Sequence, residues 1–208
     1  RIGPMILCDN LTRYYGSFVA VDRLSCEIPR GAVCALVGPN GAGKTTSMRM
    51  LSTLLRPSRG RALIGGRDVA RDPTGVRRLI GYLPEAFQLY EDLTVERYLQ
   101  FFARAYHLDP GTANDRVTDY LERLGLERRR KDRVGTLSRG MRQRLGVAKS
   151  FLHDPEVVFL DVKLPDGDGL SVLKQLKEGN GSEAAVIVMT AFGEIRTAVE
   201  AMRLGAYD

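Results

Sequence analysis

The sequence predicts an α/β fold built on a largely parallel sheet with helices on both faces. Three observations carry that prediction. Strand-length apolar runs lie at 33–37, 61–64, 80–83, 157–160 and 185–189. Helical periodicity fills much of the chain between them, and strands that alternate with helices pair in parallel. A glycine-rich loop joins the run at 33–37 directly to a helix.

Taken in order, 44–54 is the helix that follows the glycine loop. A second helix, 95–106, has Leu99, Phe102 and Ala103 on one face, and 113–124 repeats Val117, Tyr120, Leu121 and Leu124 at three- and four-residue spacing. Residues 138–152 set Met141, Leu145 and Ala148 on one side. The run 157–160 ends in Asp161, and helices at 170–176 and 195–204 flank the last run.

Composition bounds the rest. With 208 residues, 44% hydrophobic and 27% charged, the chain reads as globular rather than disordered. Its longest apolar run, 184–189, is far short of the ~18 residues of a membrane span. Collagen, a disulfide scaffold, a coiled coil and an integral membrane protein are excluded. Arg1 to Pro4 ahead of Met5 read as upstream residues. Cys8, Cys26 and Cys34 are odd in number and lack metal spacing, so a reduced, cytoplasmic protein is expected.

The net charge of +6 is unevenly placed. Residues 1–161 carry 26 Lys and Arg against 18 Asp and Glu, whereas 162–208 carry 5 against 7. That shift marks a composition boundary. The basic run Arg128-Arg129-Arg130-Lys131-Asp132-Arg133 could neutralise phosphates, but no aromatic side chains interleave it. A solvated loop is the expectation, and nucleic-acid binding is not.

Gly38-Pro39-Asn40-Gly41-Ala42-Gly43-Lys44-Thr45 fits G-x-x-x-x-G-K-[ST] directly after the strand. Glycines let the backbone curl so that successive N–H groups face a polyphosphate, and the next helix offers its positive end. Lys44 reaches the β- and γ-phosphates in that reading, and the Thr45 hydroxyl sits on Mg2+. ATP and Mg2+ are therefore the expected ligands.

Residues 5–161 resemble the ATP-binding subunit of an ABC transporter, of the branch that drives exporter-type permeases. Leu137-Ser138-Arg139-Gly140-Met141 resembles the family signature, with Arg139 and Met141 in place of the usual Gly and Gln. Tyr15 before Gly16 matches the aromatic that stacks on adenine, or is a plain strand aromatic. The resemblance implies a nucleotide-contacting set of Tyr15, Gly38, Pro39, Asn40, Gly41, Ala42, Gly43, Lys44, Thr45, Thr46, Ser138 and Gly140. It also implies a P-loop NTPase-type sheet, with metal held by Thr45, Glu85 and Asp161. Glu85 stands where the family's Q-loop carries glutamine. Family members pair head to tail, the signature helix of one facing the γ-phosphate of the other. That implies a homodimer bound to a membrane permease, with the subunit itself not spanning the membrane. Ser138 reads equally as an ordinary helix N-cap.

The resemblance stops at Asp161, the Walker B aspartate. The family's water-orienting glutamate is replaced by Val162, no D-loop follows, and neither His107 nor His153 falls at the switch position. No complete catalytic set is present, so impaired hydrolysis is expected. From Asp161 to Leu170, and again through Val186 to Gly193 and Ala198 to Asp208, the chain resembles the second half of a response-regulator receiver, a flavodoxin-like fold. There Asp161 would be the phosphoacceptor and Thr190 the switch hydroxyl, but the metal-binding acidic pair and the receiver lysine have no counterpart. The chain thus looks chimeric, with 5–161 an ABC-type nucleotide-binding domain truncated at Walker B and 162–208 a partial receiver-like segment. The alternatives are a partial receiver phosphorylated on Asp161 and a non-functional fusion. If the tail completes the P-loop sheet, the strand at 185–189 inserts between the Walker B and Walker A strands and Ala191 takes the switch-histidine place. In a receiver that strand lies outside.

Overall fold

β1 (Ile6–Tyr15) and β2 (Phe18–Ile28) form an antiparallel hairpin around Gly16 and Ser17, the first of two sheets. The computed structural model describes residues 3–84, 89–161, 184–191 and 206–207. β4 (Arg59–Ile64) pairs antiparallel with β1 and carries the short β5 (Arg67–Asp68), so the first sheet runs β2-β1-β4-β5. The expected strand at 61–64 therefore sits in an antiparallel sheet rather than in the parallel one. β2 is an edge strand and largely exposed, and Asp9 and Asn10 interrupt β1, so neither shows an unbroken apolar run.

The second sheet is parallel throughout. Its order is β6 (Ile80–Leu83), β7 (Val157–Asp161), β8 (Ala185–Ala191), β3 (Val33–Gly38) and β9 (Ala206–Tyr207). β8 therefore lies between β7 and β3, the P-loop arrangement rather than the receiver one. Its N-terminal end is pinned from both sides, because Ala185 N–H donates to the Glu156 carbonyl at 2.9 Å and Val186 N–H to that of Ala32 at 2.9 Å.

Strand alternation splits these side chains between two cores. Val157, Phe159, Ala185 and Ile187 face the antiparallel sheet and α1 (Lys44–Leu51), joining Ile6, Met48 and Ile64. Val158, Leu160, Ala184 and Val186 face α3 (Val95–Ala105), α4 (Pro110–Arg123) and α5 (Arg139–Phe151), joining Leu99, Leu121 and Leu145. Ala185, Val186 and Ile187 of β8 are apolar and buried, so this part of the strand meets both layers with apolar side chains.

Helix ends follow local chemistry. α1 stops at Leu51, short of the expected 54, and Thr53 adopts a left-handed φ of 63°. α4 begins at Pro110, three residues earlier than the apolar pattern, because the Asp109 carboxylate caps Thr112 N–H at 3.0 Å and proline suits the first turn. α2 (Pro73–Leu79), absent from the sequence reading, is capped likewise by Asp72. The expected helices at 170–176 and 195–204 lie outside the described residues.

The basic run is a structural loop. Its carbonyls at Asp132 and Arg130 accept from Val95 and Glu96 N–H at the start of α3. Arg130 is 18% exposed, not solvated, and holds Glu127, Glu96 and the Thr118 hydroxyl at 2.8–3.0 Å. Arg129 pairs with Asp132 at 2.9 Å. Two cations of the run, Arg129 and Arg130, are thus matched to carboxylates within the fold.

Both histidines sit at helix ends. His107 ends α3 with φ 59°. His153 donates from Nε2 to the Ile80 carbonyl at 2.9 Å and stacks on Tyr106 with centroids 3.7 Å apart. Burial pulls its pKa down to about 4.

Candidate nucleotide site

The glycine loop leaves the carboxyl end of β3, where open parallel sheets bind ligands. Ala42 N–H turns back to the Pro39 carbonyl at 3.2 Å, closing the curl. Gly43 then takes φ 82° as the N-cap of α1. A Cβ there would lie 2.3 Å from the Ala20 carbonyl oxygen, so only glycine fits between the loop and β2. That contact ties the Tyr15-bearing hairpin to the phosphate loop. At Gly38 a Cβ would meet that of Ala42 at 3.3 Å, partly filling the inside of the curl.

Lys44 projects along the loop. Its Nζ donates to the carbonyls of Gly38 at 2.7 Å and Pro39 at 2.8 Å. The ammonium is thereby held at the loop mouth, within reach of the backbone that would cradle phosphates. Pro39, Asn40, Gly41, Ala42 and Thr45 are exposed, while Thr46 is partly buried. This concave backbone with a fixed cation fits a polyphosphate.

Register places the rest of the sheet edge. Asp161 on β7 pairs with Met189, and Gly38 on β3 pairs with Ala191. The Walker B position and the start of the phosphate loop thus flank β8 at one edge of the sheet. Ala191 occupies the neighbouring position to Gly38, as the strand alignment anticipates for the switch position. Thr190 pairs with Val37. Glu85 and Val162 lie outside the described residues.

Two predicted residues stand apart from the loop in the fold. Tyr15 closes β1 at the hairpin, 46% exposed, with the Arg13 guanidinium 4.8 Å from its ring centre. Ser138 caps α5, its Oγ accepting from Met141 N–H at 3.3 Å, so the N-cap reading of this side chain is met. Ser138, Arg139 and Gly140 are all exposed.

Sequence reasoning missed the residue that fixes this signature turn. Arg142 donates to the carbonyls of Leu137 at 3.0 Å and Gly135 at 2.7 Å and to the Glu91 carboxylate at 3.2 Å. Two of its partners lie within seven residues, whereas Glu91 is 51 residues away and is brought close only by the fold.

The ABC transporter family model matches residues 21–162, and the response regulator receiver domain model matches 126–208. Among curated proteins, the chain is 43% identical over 156 residues to "Daunorubicin resistance ATP-binding protein DrrA3" of Streptomyces coeruleorubidus, covering 75% of this chain and 49% of that protein. It is 37% identical over 157 residues to "Probable multidrug ABC transporter ATP-binding protein YbhF" of Escherichia coli K12, covering 76% and 27%. The chain therefore spans between about a quarter and half the length of these relatives. A solved structure described as "Structure of ATP binding subunit of ABC transporter" superposes with a TM-score of 0.81 at 29% identity, covering 90% of this chain and 80% of that one. CbiO1 from Clostridium perfringens superposes at 0.78 with 25% identity, covering 91% and 79%.

Proposed function

The chain belongs to the ABC transporter family, and we propose that it is a MgATP-binding subunit or fragment of an exporter-type transporter with impaired hydrolysis. The observation that carries the reading is the curled loop with Lys44 bonded across its mouth, beside the Walker B end of β7. Loop N–H groups and Lys44 bind the phosphates, and Tyr15 stacks on adenine. Thr45, Asp161 and Glu85 hold Mg2+, which neutralises phosphate charge when bound. Val162 can neither accept a proton nor orient water through its side chain, so binding survives better than turnover.

Residues 5–161 act as the nucleotide-binding domain in this proposal, and 162–208 as a receiver-like segment that lends β8 to its sheet. Ser138 and Gly140, exposed at the start of α5, face the γ-phosphate bound by a second copy, with the helix end favouring an anion. The partner is a membrane permease, which would bring a cytoplasmic subunit to the membrane. Among the described residues, no helix is long and apolar enough to cross it.

Thermal unfolding with and without MgATP tests the reading, with Lys44→Ala as control. Ligand at about 100 times Kd stabilises by ~2.7 kcal/mol, so the parent transition should rise by several degrees and the variant's should stay put. Equal shifts in both, or none in the parent, would remove the proposal. A chain with no cooperative transition would instead favour the non-functional fusion.

A further inference from the structure

Cys8 on β1 and Cys26 on β2 are directly opposed across the antiparallel ladder. Opposed residues project to one face with Cβ atoms roughly 4.5–5.5 Å apart, close to the separation that a disulfide spans. That register makes them nearest cross-strand neighbours on the hairpin. They are also unequal: Cys8 is buried at 2% exposure, whereas Cys26 is exposed on the edge strand. Their contact draws Cys26 down to about 7, toward thiolate, and pushes the buried Cys8 up. The third thiol, Cys34, is half-buried and pushed up by that burial.

We propose that Cys8 and Cys26 are an oxidant-sensitive dithiol that closes to a cross-strand disulfide when it meets a hydroperoxide. The exposed Cys26 thiolate attacks the peroxide oxygen, the O–O bond breaks, and the leaving alkoxide or hydroxide takes up a proton. Cys26 is then a sulfenic acid. The Cys8 sulfur attacks Cys26 Sγ, the S–O bond breaks, and hydroxide departs with the Cys8 proton as water. Two thiols are oxidised by two electrons and one hydroperoxide is reduced to an alcohol, or to water from hydrogen peroxide, with a further water released. The bond would close the hairpin segment that carries Tyr15 and packs the Ala20 carbonyl against Gly43. This proposal is independent of the nucleotide reading.

Hydrogen peroxide at equimolar ratio on the reduced full chain provides the test. Cleavage after Arg13, Arg23, Arg30 and Lys44 leaves Cys8, Cys26 and Cys34 on separate peptides. The expected result is a mass loss of about 2 Da for the two hydrogens removed. The peptide of Cys8 should be joined to that of Cys26, with Cys34 still open to alkylation and the link reversed by dithiothreitol. Cys34→Ser should behave identically, and Cys26→Ser should form no intramolecular link. A Cys26–Cys34 link, a link between two chains, or Cys26 driven to sulfinic acid while Cys8 remains alkylatable would overturn the proposal.

Discussion

Lys44 shows how little of a site is set by one side chain. Its reach is a property of lysine, but its two carbonyl partners exist because Gly43 permits a left-handed turn against Ala20. At 162 the sequence carries valine where the resemblance leads one to expect a water-orienting glutamate, and the proposed loss of turnover rests on that residue type. Val162→Glu should raise ATP turnover toward the ~10²–10⁴-fold that a general base contributes, read as phosphate release. Turnover already normal for the family in the parent, and unchanged by the substitution, would refute impaired hydrolysis. His153 makes a titration prediction. Its folded pKa of about 4 lies below the ordinary 6.5, so as pH falls the unfolded chain takes up that proton first. The stability it contributes is intact above 6.5 and is lost as pH drops from there toward about 4. Between about pH 7 and 5, above most carboxylate titration, the melting temperature of the parent should fall more than that of His153→Gln. Parallel curves would show that burial does not depress the imidazole.

β8 is the element on which the architecture turns. Its alternate side chains enter both cores, Ile187 beside Phe159 and Val186 beside Val158 and Leu160. Ile187→Ala should therefore cost ~2–4 kcal/mol of unfolding free energy, measured by urea titration. A change below about 0.5 kcal/mol, as at a surface position, would mean that β8 does not complete the sheet. α5 depends on its neighbours at both ends. Ser138 caps its start and Arg142 holds the preceding turn, while Arg116 and Tyr120 of α4 donate to the carbonyls of Leu152 and Phe151 at its end.

At the level of the whole molecule, two family models match strands of one sheet. The two family matches overlap across 126–162, the stretch that ends on β7 and Asp161. An apolar parallel strand ending in aspartate is compatible with either family. The receiver match keeps one chemical alternative open to test: a small phosphodonor should leave the intact mass unchanged. A gain of about 80 Da, the mass of one phosphoryl group on a carboxylate, absent from Asp161→Asn, would favour phosphotransfer instead.

Legibility followed the range of the interactions. The phosphate loop, the five apolar strand runs and the helices of 95–152 were readable because glycine spacing and apolar periodicity are local signals. The β1–β2 hairpin was not, since its outer face is polar and its strand pairing shifts at three places. Counting back from Tyr15 opposite Phe18 would set Cys8 against Ser25, and only those shifts bring it opposite Cys26. The sequence by itself carried the phosphate-loop motif at 38–45 and the valine at 162, because both reside in residue type. Tertiary structure alone decided that β8 enters between β7 and β3, that Arg142 ties the signature turn to Glu91, and that two of three cysteines meet. Each of those outcomes depends on packing between segments distant in sequence, whose partners local pattern does not encode.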